Sequence, residues 1–336
     1  MSAAPRPGPP RGYVLLMMMV SMALIAFVAA NFAERIDQLR QVTGSLQQHA
    51  KARADAADAR SAVLYWLATR AFTARGYGAG QALVLADGRP YRFDNGAVVM
   101  LQDQRGLMSV NAVDRSPLRR LLVGEGLASE LADRWLDVLE DYVDTDSLKR
   151  LNGAEASDYA ALGLPPPRND YLRSLGELDK LPAWRDNAPL VQRLKPRLST
   201  RRSNWLNPNT ASLPVLRAML PAASVDQLAG FVKLRQVLDI QTSSQFAALV
   251  GVAADAEQIL FNAGTEVLLT IWAPGLPQAS QYNIVMLAGG PSGPWLITEQ
   301  HSVPRPEWPI DLHDIASFPL ALAPESRSRD LGEGRP

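Results

Sequence analysis

The chain has 336 residues, no cysteine, three histidines and a formal net charge of zero. The missing cysteine excludes disulfides, thiolate metal sites and cysteine nucleophiles, and the balanced charge supplies no global field to recruit nucleic acid. His49, His301 and His313 are far apart in sequence and read as solvated surface residues rather than a ligand cluster.

Residues 1–12 are rich in Pro, Gly and Arg, are expected to be unstructured, and end in Arg11-Gly12. The run from Tyr13 to Ala33 holds 21 residues without a charge. About 20 apolar residues cross the hydrocarbon core of a bilayer, and lipid leaves the backbone only its own hydrogen bonds, so the run is predicted to be a transmembrane helix. Arg6 and Arg11 precede it with no acid, which predicts a cytoplasmic N-terminus and a body on the far side of the inner membrane. A cleaved signal peptide fits poorly, because the run exceeds the usual apolar length and no small-x-small site follows it. The pattern then turns amphipathic without a breaker, with Ile36, Leu39, Val42 and Leu46 at helical spacing. One long helix from about Tyr13 to Ala74 is predicted, its first half in lipid and its second half packed on a domain.

Residues 81–101 alternate short apolar segments with Asp87-Gly88 and Asp94-Asn95-Gly96, both hairpin signals, and predict a small antiparallel meander. From Asp114 to about Asn262 the apolar residues recur at helical spacing, as in Leu118, Leu121, Leu122, Leu127, Leu131, Trp135 and Leu139. A weak internal repeat pairs Val110-Asn111 with Leu206-Asn207, and Leu172-Arg-Ser-Leu-Gly-Glu-Leu with Thr242-Ser-Ser-Gln-Phe-Ala-Ala-Leu, which predicts two related helical units. Strand-like runs return at Glu266–Trp272, Gln281–Leu287 and Trp295–Glu299, and residues 304–336 read as a loose Pro-rich tail. The expected fold class is α+β: a long N-terminal helix, an antiparallel sheet, and a large helical domain inserted between the strands. The expected boundaries are 13–33 for the membrane helix, 34–113 for the remaining helix and first strands, 114–262 for the insertion, and 263–303 for the returning strands.

Glu140, Asp141, Asp144, Asp146, Glu155 and Asp158 put six carboxylates in 19 residues against Lys149 and Arg150 alone. Asp144-Thr145-Asp146 offers alternating oxygens and Asn152-Gly153 a sharp loop, as calcium sites require. The pattern is not that of an EF-hand, and a solvated acidic helix end reads equally from the residues. Asn169 or Asp170 is placed to return a further ligand. Paired carboxylates also serve acid–base catalysis, but no nucleophile or oxyanion donor set accompanies them, and no enzyme is predicted. Gly124-Glu125-Gly126 resembles the turn of a helix-hairpin-helix; the acids around it would repel phosphate, and no nucleic-acid partner is expected.

Gly12 ahead of an uncharged run that continues into a long amphipathic helix resembles a prepilin-type N-terminus. Three later stretches resemble, in this order, the general secretion pathway protein K family. The first is Gln102-Asp-Gln-Arg-Gly-Leu-Met-Ser-Val-Asn111. The second runs from Asp141-Tyr-Val-Asp-Thr-Asp146 through Asn152-Gly-Ala-Glu155, Tyr159 and Asn169 to Leu172–Leu178. The third is Leu206-Asn-Pro-Asn-Thr-Ala211. That family comprises minor pseudopilins of type II secretion systems. The resemblance implies a pilin-like fold, calcium held in the inserted domain by residues among Asp141, Asp144, Asp146, Glu155, Asp158 and Asn169, and assembly with other minor pseudopilins at the pseudopilus tip. It also implies cleavage by prepilin peptidase between Gly12 and Tyr13, followed by methylation. Major pseudopilins resemble one another in a glutamate at the fifth mature residue; here that residue is Met17 and no acid precedes Glu34, as suits a subunit that sits first. The alternative is a minor subunit of a type IV pilus or DNA-uptake apparatus that touches DNA through its helix-hairpin-helix-like units.

Overall fold

The computed structural model describes residues 13–253, 258–290, 293–307 and 312–320. The chain divides after Ala54 into two units. Helix α1 (Tyr13–Thr69) is unbroken. Every side chain from Tyr13 to Ala33 is exposed, and α1 is the one described helix long and apolar enough to cross a membrane. The polar groups in the run bond within the helix: Ser21 Oγ donates to Met17 O at 2.8 Å and Asn31 Nδ2 to Phe27 O at 2.9 Å. Both bonds satisfy a group that lipid would leave unpaired.

In the second unit, the end of α1 buries Ala59, Val63, Trp66 and Leu67. A two-residue hairpin follows, β1 (Gly76–Tyr77) with β2 (Val84–Leu85). Then come β3 (Asp87–Arg92), β4 (Val98–Asp103) and the short β5 (Met108–Ser109). Helices α2 (Ser116–Gly124), α3 (Ser129–Val143), α4 (Ala156–Ala161), α5 (Pro182–Arg185) and α6 (Ala188–Leu194) lead to β6 (Leu198–Ser199). Helices α7 (Leu213–Met219), α8 (Val225–Leu234) and α9 (Ser243–Val250) lead to β7 (Glu266–Trp272), β8 (Gln278–Gly290) and β9 (Gly293–Pro304). The main sheet runs β3-β4-β7-β8-β9 with every neighbour antiparallel. All the described α-helices after α1 lie in the chain between β4 and β7, which pair in continuous register from Val98↔Trp272 to Asp103↔Val267. The fold is thus α+β and pilin-like, with helices inserted between strands.

Val99, Leu101, Val267, Leu269, Ile271, Tyr282 and Ile284 line the buried face of the sheet. Arg60 of α1 lies 5.5 Å over the Tyr282 ring on that face. Asn95-Gly96 turns the β3–β4 hairpin, with Phe93 N–H donating to Ala97 O. Asp87-Gly88 does not turn the chain. It sits inside β3, where the register shifts between Asp87 and Pro90 and Gly88 takes φ +81°, a bulge that only a residue without Cβ adopts easily. The described part of the expected tail is packed rather than loose. Ser317 bridges Arg92 at the β3 edge, and Phe318 stacks on Phe93 at 4.8 Å and meets Trp66 and Tyr91 edge-on. Burial of an aromatic side chain outweighs the polar composition around it.

The helical insertion is built twice on one plan. In the first unit β5 and β6 pair in parallel, and Asn111 Nδ2 donates to Leu172 O at 2.8 Å. Leu172 stands two residues before Ser174, which caps the helical turn Leu175–Lys180. In the second unit Leu206 and Ile259 form a parallel bridge, and Asn209 Nδ2 donates to Ile240 O at 2.8 Å. Ile240 stands two residues before Thr242, the N-cap of α9. Hydrogen bonding therefore matches Asn111 with Asn209, not with Asn207 as the sequence repeat suggested.

Asn207 has another task, at Asp103. The Asp103 carboxylate is fully buried. Its Oδ1 accepts from the N–H groups of Arg105 (3.0 Å) and Gly264 (3.1 Å). Its Oδ2 accepts from Asn207 Nδ2 (2.9 Å) and Thr210 Oγ1 (3.0 Å). Asp103→Ala would strand these donors in a dry site and is expected to cost about 3–5 kcal/mol. Asp94→Ala, at an exposed turn position, is expected to stay within about 0.5 kcal/mol; urea unfolding of the two variants checks the difference.

Candidate functional site: the acidic loop between α3 and α4

Helix α3 is amphipathic and buries Ala132, Trp135, Leu136, Leu139 and Tyr142. Its inner face is locked by Trp184, whose Nε1 donates to Trp135 O at 2.9 Å with the rings 4.5 Å apart. Its last turn carries Glu140 and Asp141, and Asp144 is its C-cap. The loop returns to α4, where Glu155 is the N-cap residue and Asp158 accepts from the Glu155 N–H at 2.9 Å.

The loop is held by Asp141, whose side chain is fully buried. Both its oxygens accept from the Arg150 N–H, at 3.3 and 3.2 Å. A Cβ on Gly153 would stand 1.8 Å from Asp141 Oδ2, so only glycine lets the backbone pass there. Desolvation raises the Asp141 pKa against the opposing pull of Arg150. Asp144 and Glu155 are also raised, first by desolvation and then by nearby carboxylates: Asp146 and Asp141 act on Asp144, and Asp141, Asp144 and Asp146 act on Glu155. Asp144 Oδ1 and Glu155 Oε1 are buried with no hydrogen-bond partner among the described residues. The sequence-predicted ligands therefore divide. Asp141, Asp144 and Asp146 act electrostatically on Glu155, and Asp141 and Asp146 on Asp144, while Asp146 Oδ1 accepts from the Leu148 N–H. Asp158 is engaged elsewhere, with Oδ1 2.8 Å from Lys149 Nζ. Asn169 reaches the loop through its backbone: it takes φ +53°, which asparagine tolerates, and its N–H donates to Tyr142 O at 3.0 Å. Among the described residues no three His, Asp or Glu side chains form a ready-made metal-binding group. Two orphaned, buried carboxylate oxygens, Asp144 Oδ1 and Glu155 Oε1, are nonetheless what a hard, oxygen-seeking cation would take up, so the donor chemistry fits calcium.

One buried carboxylate beside the loop was missed by sequence reasoning. Glu177 accepts from Tyr142 Oη (2.8 Å), Arg168 (3.1 Å), and the N–H groups of Arg173 (2.9 Å) and Ser174 (3.2 Å). Desolvation pushes its pKa up, but these hydrogen bonds together hold it below the ordinary value. In turn burial, and then the bond to Glu177, raise the Tyr142 phenol. Ser-Leu-Gly-Glu from Ser174 to Glu177 has the spacing of a capping box, the local pattern that could have found this residue.

The hairpin turn between α2 and α3 uses its own amides. Glu125 N–H donates to Leu121 O, Gly126 N–H to Val123 O and Leu127 N–H to Leu122 O, and Glu125 pairs with Arg197 at 3.3 Å. Of the residues expected to govern processing and position, Gly12 lies outside the described residues, Tyr13 begins α1, and Met17 is exposed on it.

The raised carboxylates fix a pH dependence. A folded-state pKa above the unfolded value means that the folded loop binds more protons, so its ionisation opposes folding. Without calcium, this contribution improves as pH falls from neutral through the raised values toward the ordinary carboxylate pKa of about 4. Asp144→Asn is therefore expected to raise the melting temperature in EDTA at pH 7 by roughly 2–4 °C, the equivalent of about 1 kcal/mol. The gain should shrink at pH 5, as read by scanning calorimetry.

Residues 97–202 match the family model for type II secretion system protein K. No curated protein matches the chain by sequence. Among solved structures, the fold is similar to a chain in the crystal structure of the GspK–GspI–GspJ complex from the enterotoxigenic Escherichia coli type 2 secretion system. The identity is 18%, the TM-score is 0.54, and the match covers 81% of this chain and 100% of that one. The family match spans the first helical unit and its acidic loop, on a pilin-like sheet interrupted by helices, and supports a likeness to protein K, a minor pseudopilin of type II secretion systems.

Proposed function

We propose that the protein caps and nucleates the tip of a type II secretion pseudopilus, working in protein export as a structural subunit and not as an enzyme. The observation that carries this reading is the position of the insertion. A helical body with its own core hangs from the β4–β7 junction of the sheet. Such bulk would obstruct close packing of like subunits in a shaft but is accommodated at an end. Met17 at the fifth position after Gly12 supports the same place, since no acid is offered to a neighbour's amine before Glu34. The similar solved structure is of a complex with GspI and GspJ, which supports other minor pseudopilins as partners here. The uncharged start of α1 serves as a single inner-membrane span with the N-terminus cytoplasmic and the body periplasmic, after prepilin peptidase cuts between Gly12 and Tyr13. Against the DNA-contacting alternative, the amides of the α2–α3 turn that would meet phosphate are bonded internally. Site-specific cross-linking along assembled fibres tests the tip position: the protein is expected at one end only, and its recovery at regular intervals along the shaft would refute the cap.

Calcium is proposed as a structural ligand of the acidic loop, with Asp141, Asp144 and Glu155 as its inner carboxylates, Asp146 at the rim, and Asp158 and Asn169 closing the loop behind them. When bound, the ion supplies positive charge to oxygens that otherwise repel one another. At 100 times Kd it should stabilise the folded protein by ~2.7 kcal/mol, about 5–10 °C in melting temperature. Asp144→Ala should remove most of that gain. Identical melting of the detergent-solubilised protein in EDTA and in millimolar calcium would overturn the calcium assignment.

A further inference from the structure

We propose that Lys149 and Arg150 are resident counter-ions of the calcium-free loop and compete with the metal for its carboxylates, an inference that rests on the calcium reading above. They are the only two cations between Arg134 and Arg168. Arg150 Nε lies 2.8 Å from Glu140 Oε2 and 3.6 Å from Asp141 Oδ1. Lys149 Nζ lies 2.8 Å from Asp158 Oδ1. Arg150 thus reaches one inner carboxylate, Asp141, along with Glu140, and Lys149 holds Asp158 outside the inner set. Neither bonds the orphaned oxygens of the other two, Asp144 Oδ1 and Glu155 Oε1, which stay buried and without a hydrogen-bond partner among the described residues.

The difference in exposure between the cations and the inner carboxylates makes exchange feasible. The Lys149 and Arg150 side chains are 48% and 45% exposed, whereas Asp141 is fully buried and Glu155 is 8% exposed. A long cationic side chain can turn its head back into water with its stem still on the surface, while the carboxylates stay where they are. The segment between them has little packing to resist such a move: Leu148 and Leu151, on either side of the two cations, are 78% and 93% exposed. A divalent ion brings twice the charge of either side chain and accepts six to eight oxygens. It can therefore satisfy Asp141 and the two orphaned oxygens together, which neither cation does alone. The displacement costs binding energy, so the two residues set how much calcium is needed to close the loop.

The test is calorimetric titration of full-length, detergent-solubilised protein with calcium chloride, alongside melting in EDTA and in saturating calcium. The Lys149→Gln, Arg150→Gln double variant is expected to bind calcium about tenfold more tightly. Its melting temperature should fall in EDTA and match wild type in saturating calcium. Arg134→Gln, at an exposed position on α3, should change affinity by no more than about twofold. The Lys149→Arg, Arg150→Lys swap, which keeps the charges, should remain near wild type. Calcium binding by wild type that is equal to or tighter than that of the double variant would overturn the inference and leave the calcium site standing. So would an equal loss of stability with and without calcium, or an equal gain in affinity from Arg134→Gln. No binding by wild type or variant would overturn the calcium reading and this inference with it.

Discussion

The Asp103 carboxylate is the interaction on which the rest of the architecture depends. A buried charge is tolerable only when donors replace the water it has lost, and here four donors come from three separate parts of the chain. Arg105 stands where the chain leaves β4 for the helices, and Gly264 where it comes back to β7; both N–H groups meet the same oxygen. Asn207 and Thr210 belong to the start of the second helical unit and meet the other oxygen. Asn207 also donates to Ala74 O, just beyond the end of α1, and its own N–H donates to Arg105 O. One carboxylate thus fastens the exit, the return and the middle of a long excursion, and lets β4 and β7 pair as if the insertion were a hairpin loop.

Much of this fold is legible in the sequence because it is encoded locally. The uncharged run after Gly12 sets α1, Asn95-Gly96 sets a turn, and the apolar run Glu266–Trp272 is β7 to the residue. Local patterns fail where a residue answers to distant partners. Asp87-Gly88 has turn chemistry but is drawn into β3 by pairing with β4. Phe318 sits in a Pro-rich stretch but is held by Trp66, Tyr91 and Phe93, all more than 200 residues upstream. Asp103 lies inside a stretch whose family resemblance is visible, yet its role needs Asn207 and Gly264, 104 and 161 residues away. The internal repeat shows the same limit. Its two copies are detectable, but the match of Asn111 with Asn209 appears only in the hydrogen bonds to Leu172 and Ile240.

The acidic loop is legible as a cluster because its carboxylates are neighbours in the chain. How they differ from one another is not. Glu155 and Glu177 are both buried carboxylates at the start of helical turns. Glu177 is surrounded by a phenol, a guanidinium and two backbone N–H groups, and is held ionised. Glu155 faces Asp141 and Asp144 with one oxygen unpartnered, and its ionisation is opposed. The first is a finished structural bond. The second is an unsatisfied arrangement, which natural proteins keep mainly where a ligand completes it. The rigid junction at Asp103 and the unfinished loop between α3 and α4 are thus two ends of one design: a body fixed firmly to the sheet and left adjustable at its acidic side.

Amide hydrogen exchange read residue by residue, with and without calcium, tests that account most directly. The N–H groups of Arg105, Asn207 and Gly264 should exchange only with global unfolding in both conditions, while those of Arg150, Asn152 and Asn169 should gain protection when calcium is added. Exchange at Arg105 and Gly264 as fast as at the exposed Leu148 would contradict the account, because the insertion would then not be fastened at Asp103.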